Sequence, residues 1–292
     1  MADEAYAHRL KELDLKGHDA DEYRSLKLAV AAQVSQLRTV LDAHEAREQE
    51  RSWLKQQTQG ELDEGRLVDG VAGASDIYRR RGVQADAGAL FRPTIPKRIK
   101  FVVDISGSMY TFNRIDDRLR RLQEAVVFIL EAFAGYDAKY DINVVGHSGT
   151  GPEAERFVDW GAPPTTDAER LEIARRMAAH AQFAHSGDTT LEATRIGIDD
   201  VAGKDADERF CFVVSDADLK RYGITPTNWN DILMAKHPHV QAYVILISSN
   251  EDEATSIVQG LAPGHAFICD QTDRLAVTFK QIFTATMLKN RA

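Results

Sequence analysis

Residues 99–109, Ile-Lys-Phe-Val-Val-Asp-Ile-Ser-Gly-Ser-Met, constrain this chain more than any other stretch. Ile99, Phe101, Val102 and Val103 form a short β-branched and aromatic run, the pattern of a buried strand. The run ends at Asp104, and oxygen-bearing side chains recur at alternate positions: Asp104, Ser106 and Ser108. Gly107 lets the backbone turn tightly, so both hydroxyls can face one point. One carboxylate and two hydroxyls with no nearby cysteine make a hard-oxygen donor set, suited to Mg²⁺ or Mn²⁺ and not to zinc.

The chain beyond Met109 reads as layers around that strand. Asp116–Ala134 reads as a helix with the stripe Ile115, Leu119, Leu122, Val126, Ile129 and Phe133, and Asp116 and Asp117 suit its N-terminus. Strand patterns lie at Tyr140–Val145, Glu155–Trp160, Arg209–Val214, Val240–Ile247 and His265–Cys269. Helical patterns lie at Asp167–Phe183, from near Leu191, and at Asn228–Lys236, Asp252–Gly260 and Asp273–Leu288. Strands apolar on both faces that alternate with helices predict an α/β fold, a mainly parallel sheet covered by helices. The early hairpin makes one edge antiparallel. Ligands of such sheets sit over the carboxyl ends of the central strands.

Ahead of this domain, residues 1–18 are polar, and Asp19–Gln57 carries a helical stripe of Tyr23, Leu26, Val30, Val34, Leu37 and Leu41. The stripe fades over residues 42–52 and resumes at Trp53 and Leu54. Two readings stand for this long helix: it packs partly on the domain, or it is an arm that docks a partner. Residues 58–98 hold repeated glycines and two prolines, which predicts a connector with a short helix near Asp63–Val71. The division expected is a helical extension and connector at 1–96, then one domain at 97–292.

Charge and composition exclude some classes. A net charge of −9 argues against nucleic acid as a main partner, because phosphate binding needs a basic surface. The basic residues Arg79–Arg81, Arg92, Lys97, Arg98 and Lys100 form only a local cluster, read as a solvated linker or a face for an acidic partner. Cys211 and Cys269 both fall in strand-like runs and are expected to be unpaired core thiols of a reducing compartment. No stretch approaches the about 18 consecutive apolar residues a membrane span needs, and the N-terminus lacks a secretory pattern. A cytoplasmic protein with no membrane partner is the expectation.

The turn Asp104-Ile105-Ser106-Gly107-Ser108-Met109 resembles the metal-ion-dependent adhesion site of von Willebrand factor A domains. Gly187-Asp188-Thr189-Thr190-Leu191 resembles that family's Thr loop, with Thr190 the expected ligand and Thr189 the fallback. Asp216 in Val-Val-Ser-Asp-Ala matches the last Asp loop. The resemblance implies a Rossmann-like, six-stranded sheet of order 3-2-1-4-5-6. It also implies a centre of Asp104, Ser106, Ser108, Thr190 and Asp216 holding Mg²⁺ or Mn²⁺, with one position left for a carboxylate from another chain. Two departures stand out: the Thr loop reads Ser-Gly-Asp-Thr-Thr, and Asp216 is followed by Ala. An extra acid, Asp188 or Asp218, would strengthen cation binding and weaken acceptance of a carboxylate.

The segment from Gln59 through Ile77-Tyr-Arg-Arg-Arg resembles the stretch ahead of the A domain in chelatase-type members, some of which end large AAA+ ATPases. No Gly-x-x-x-x-Gly-Lys-[Ser/Thr] occurs in this chain, which leaves two readings, a separate subunit acting with an AAA+ ATPase of MoxR or chelatase type, the one expected, or a piece of a larger protein. The function implied is non-catalytic: an adaptor that links such a motor to a client. The alternative is a Mg²⁺-dependent hydrolase or phosphotransfer enzyme, using Asp104 or the turn Gly146-His147-Ser148-Gly149-Thr150 as a nucleophile elbow. That elbow requires a helix after the turn, and the sequence there reads as a strand. His147 and His185 are expected near the metal face, as polar neighbours of the ion.

Overall fold

A computed structural model of the chain describes residues 19–51, 53–67, 73–81, 95–184, 187, 189–216, 223–234, 239–247, 251–269, 274 and 277–282. Its contacts form two units, one of residues up to Ser35 with Ile95 onward and the other Gln36–Thr94. Helix α1 (Asp19–Arg51) runs through both. Its stripe is used as the spacing predicts: Tyr23, Leu26, Val30, Leu37 and Leu41 are buried, and Val34 half-buried.

The helix does not continue to Gln57. Trp53–Gln57 is a strand, β1, and it pairs antiparallel with β3 (Tyr78–Arg81), which also pairs with β2 (Glu61–Leu62). Gln56 lies in the left-handed region at φ 59°, which a helix cannot contain. The connector therefore holds a small three-stranded sheet. Its expected helix near Asp63 is a single 3-10 turn at Glu64–Arg66, where the Asp63 carboxylate accepts the Gly65 N–H at 3.2 Å. The rest of that expected helix, from residue 68, lies outside the described residues.

In the main unit, β4 (Lys97–Asp104) is followed by α2 (Gly107–Thr111), α3 (Asn113–Asp116) and α4 (Arg118–Phe133). Next come β5 (Tyr140–Ser148), β6 (Gly151–Val158), α5 (Asp167–Phe183), α6 (Thr190–Ala202) and β7 (Arg209–Ser215). The last elements are α7 (Pro226–Leu233), β8 (Val240–Leu246), α8 (Glu251–Gly260) and β9 (Ala266–Ile268). The six-stranded sheet runs β6-β5-β4-β7-β8-β9, parallel except for the antiparallel β5–β6 hairpin. Counted from β4, that is the order 3-2-1-4-5-6. Strand β4, with its Asp-x-Ser-x-Ser end, sits in the middle, and Val103 lies opposite Gly146 on one side and Val214 on the other.

Both faces of the sheet are covered, which is why Phe101–Val103 of β4 and Phe210–Val214 of β7 read as apolar runs, whereas Lys100 of β4 is buried against Asp200, Nζ to Oδ2 at 2.7 Å. On one face Phe101 stacks on Phe212 with ring centroids 5.2 Å apart, and Phe279 packs on both at 6.0 and 4.9 Å. On the other, α6 approaches so closely that a Cβ at Gly197 would lie 2.7 Å from Val102. One expected core residue is not there. Ile115 is 80% exposed, because Asp117 takes a left-handed φ of 53° and separates short α3 from α4. The stripe begins only at Leu119.

Cys211 in β7 and Cys269 just past β9 are both free and buried, two strand steps apart. Burial pushes the Cys211 thiol up to about 12, so it is protonated at neutral pH. Titration with a thiol reagent is expected to find neither thiol reactive in the folded protein and both after unfolding without reductant. Fewer than two after unfolding would contradict the unpaired state.

Candidate metal centre

β4 delivers Asp104 to the carboxyl edge of the sheet, and the backbone turns there at once. The Asp104 carboxylate, 4% exposed, accepts the Ser106 N–H at 2.9 Å, which fixes the turn. Ile105 N–H still reaches the His147 carbonyl at 2.9 Å, so the turn starts from a paired strand end. At Gly107 a Cβ would lie 3.1 Å from the Ala184 carbonyl oxygen. The glycine lets the start of α2 approach the chain leaving α5.

That turn places Ser106 Oγ and Ser108 Oγ 2.9 Å apart. Ser108 Oγ donates to Asp216 Oδ2 at 2.9 Å, across the gap between the ends of β4 and β7. Four of the five expected ligands thus form one hydrogen-bonded cluster at the topological switch point: Asp104, Ser106, Ser108 and Asp216. Thr190 is the first residue of α6 and wholly buried, and its carbonyl accepts Thr194 Oγ1 at 2.6 Å. α6 packs on β4 and β7, which brings its N-terminal end to the same edge of the sheet. Thr189, the fallback, donates its hydroxyl to the Ser148 carbonyl at 3.0 Å. Asp188, His185 and Asp218 lie outside the described residues.

The donor chemistry fits a hard cation. Two carboxylates and two hydroxyls converge, with no thiolate among them. Among the described residues there is no group of three or more His, Cys, Asp or Glu placed to hold a metal.

One neighbour of the centre, Arg118, has no signal in the sequence, and another, Asp116, serves a role the sequence does not suggest. Arg118, at the start of α4, donates Nη1 to Asp216 Oδ2 at 2.7 Å and Nη2 to Asp116 Oδ2 at 2.6 Å. Burial opposes the charge on this guanidinium, but the hydrogen bonds and charges of Asp116 and Asp216 outweigh it and raise Arg118 above the ordinary arginine range. Asp116, expected as a favourable acid at a helix N-terminus, instead grips this arginine. Such a contact, 98 residues apart in sequence, has no local pattern to betray it.

Ser148 is placed as no elbow nucleophile is. It is wholly buried, its Oγ lies 3.1 Å from His180 Nε2, and residues 149–150 turn back into antiparallel β6. His147 pairs in register with Asp104 in the adjacent strand and is 1% exposed. Burial lowers the pKa of His180 against the opposing charge of Glu155, which favours neutral imidazole.

No protein-family profile matches the chain. It is 42% identical over 291 residues to von Willebrand factor A domain-containing protein 8 of Mus musculus, a match that covers 99% of this chain and 15% of the mouse protein. The chain thus spans about 15% of the length of the curated relative it matches. Among solved structures, the pilus adhesin SpaC of Lactobacillus rhamnosus GG aligns at TM-score 0.48 and 14% identity, over 66% of this chain and 31% of that one. The manganese-loaded TRAP protein of Plasmodium vivax aligns at 0.45 and 12%, over 64% of this chain and 73% of that one. Almost the whole of this chain is thus similar in sequence to one part of a von Willebrand factor A domain-containing protein, and it carries Asp-x-Ser-x-Ser at the end of the first strand of a 3-2-1-4-5-6 sheet.

Proposed function

We propose that this chain is a non-catalytic, divalent-cation-dependent adaptor that links an AAA+ ATPase of MoxR or chelatase type to a client protein. One observation carries the cation part: Asp104, Ser106, Ser108 and Asp216 are joined by hydrogen bonds at the ends of β4 and β7. These four residues with Thr190 would hold Mg²⁺ or Mn²⁺, and the ion would supply positive charge for an acidic side chain of another chain. Asp104 and Asp216 are buried, the first accepting the Ser106 N–H and the second the Ser108 hydroxyl, so hydrogen bonds within the cluster hold these donors together. Ser148 Oγ lies 3.1 Å from His180 Nε2 but is wholly buried in the β5–β6 hairpin, closed to an incoming substrate, which favours binding over turnover.

The motor part rests on similarity to the mouse protein, and the test separates the two parts. Binding of the chain to a MoxR-type AAA+ ATPase from the same genome is measured with Mg²⁺ and with EDTA. Affinity is expected to fall at least tenfold in EDTA, as when a charged contact in a partly dry interface is lost (about 1.4 kcal/mol per tenfold). Equal affinity in both buffers would remove the cation from the mechanism, and no binding in either would remove the motor.

A further inference from the structure

A cation already stands at the proposed metal centre. Arg118 Nη1 and Ser108 Oγ both donate to the same oxygen, Asp216 Oδ2, at 2.7 and 2.9 Å. The other side of the guanidinium is clasped by Asp116, with Nε at 3.0 and 2.9 Å from its two oxygens and Nη2 at 2.6 Å. The Phe112 ring lies 4.9 Å from the guanidinium carbon, and the Arg118 side chain is only 16% exposed. Arg118 therefore spans two carboxylates, one belonging to the centre and one outside it.

A guanidinium and a divalent ion drawing on one carboxylate repel each other at short range, and burial leaves that repulsion little screened. Both cannot hold Oδ2 at full strength. A buried arginine stripped of its only acid would be costly. Here Asp116 keeps Arg118 paired, in a near-bidentate grip, whether or not Asp216 is engaged. The arrangement has a second seat for the displaced charge.

We propose that Arg118 is a latch on the metal centre, an internal counter-ion that competes with the divalent cation for Asp216 and falls back on Asp116 when the cation binds. The inference rests on the reading of the centre as a cation site. It gives the centre a tuned, lowered affinity: the cation-free state is neutralised in advance, and the ion must displace one charged hydrogen bond to enter.

The test is Mn²⁺ titration of the parent protein, Arg118→Gln and Arg118→Lys, read by the electron paramagnetic resonance signal of free Mn²⁺. Thermal unfolding of each without metal reports whether it is folded. Arg118→Gln is expected to bind Mn²⁺ about tenfold more tightly than the parent, the scale of one charged hydrogen bond no longer displaced. Arg118→Lys should fall between them, since an ammonium keeps the charge but cannot fork across both acids. A residue that merely braced the loop would give weaker binding when lost, so the sign separates latch from scaffold. Equal or weaker binding by Arg118→Gln overturns the latch. Should Arg118→Gln fail to fold, Arg118→Lys decides alone, and an affinity equal to or below the parent's overturns the proposal. Absence of Mn²⁺ binding in every protein, parent included, overturns the metal reading itself and the latch with it.

Discussion

Asp104→Ala is expected to abolish measurable Mg²⁺ and Mn²⁺ binding and the cation-dependent part of partner binding, with the fold kept. Among the described residues Asp104 is one of two carboxylates in the four-residue cluster, and the one that remains, with hydroxyls, does not balance a divalent charge. What the fold loses is small by comparison. The Ser106 N–H gives up its 2.9 Å acceptor at the edge of the sheet, worth about 1 kcal/mol. At that size, the melting temperature of a domain this large moves by about 2–4 °C. Ile99, Phe101, Val102 and Val103, which hold β4 in the core, are untouched. Calorimetric titration with Mn²⁺ and thermal unfolding of the same sample check both halves. A collapse of the melting temperature would make the centre a structural one, with metal binding and folding coupled.

The sequence is legible where the physical constraint is local. β4 can be read because a strand covered on both faces shows an apolar stretch, here Phe101–Val103, and the alternation of strands and helices sets the parallel sheet. The Asp-x-Ser-x-Ser turn can be read because its geometry is made by five consecutive residues. The small sheet β1-β3-β2 cannot. Its strands, such as Lys-Gln-Gln at 55–57 and Arg-Arg-Arg at 79–81, are too polar and too short to show an alternating face. Ile115 misleads for a related reason: its spacing to Leu119 is helical, but a single left-handed residue, Asp117, breaks the helix between them. The Arg118–Asp216 pair is hidden altogether, because it depends on the closeness of two loops that only the finished sheet creates.

A similar distance in sequence hides a buried polar anchor of α1, and its removal is the second large effect expected. Glu131 on α4, 7% exposed, accepts Tyr23 Oη at 2.5 Å and Arg170 Nη1 at 3.1 Å, with Lys27 Nζ 3.3 Å from its second oxygen. Glu131→Ala leaves the Arg170 guanidinium, itself 7% exposed, with the largely exposed Asp167 as its remaining acid partner among the described residues and strips the acceptor from a buried phenol. Breaking a buried pair on one side costs about 3–5 kcal/mol. Glu131→Gln, which keeps an acceptor, should cost about 1–2 kcal/mol; urea unfolding measures both. The contact also has a pH signature. Burial, then the hydrogen bond and charge of Glu131, push the Tyr23 phenol far above its ordinary value of about 10. The fold therefore favours the neutral phenol, and its contribution is complete below about pH 10 and lost as pH rises beyond, where the unfolded chain ionises first. Tyr23→Phe should be less stable at neutral pH yet lose less of its stability between pH 9 and 11 than the parent (a window set by that ordinary value of about 10). Equal alkaline slopes in the two proteins would mean that α1 is held by its apolar stripe, Leu26 and Val30, and not by the Tyr23–Glu131 bond.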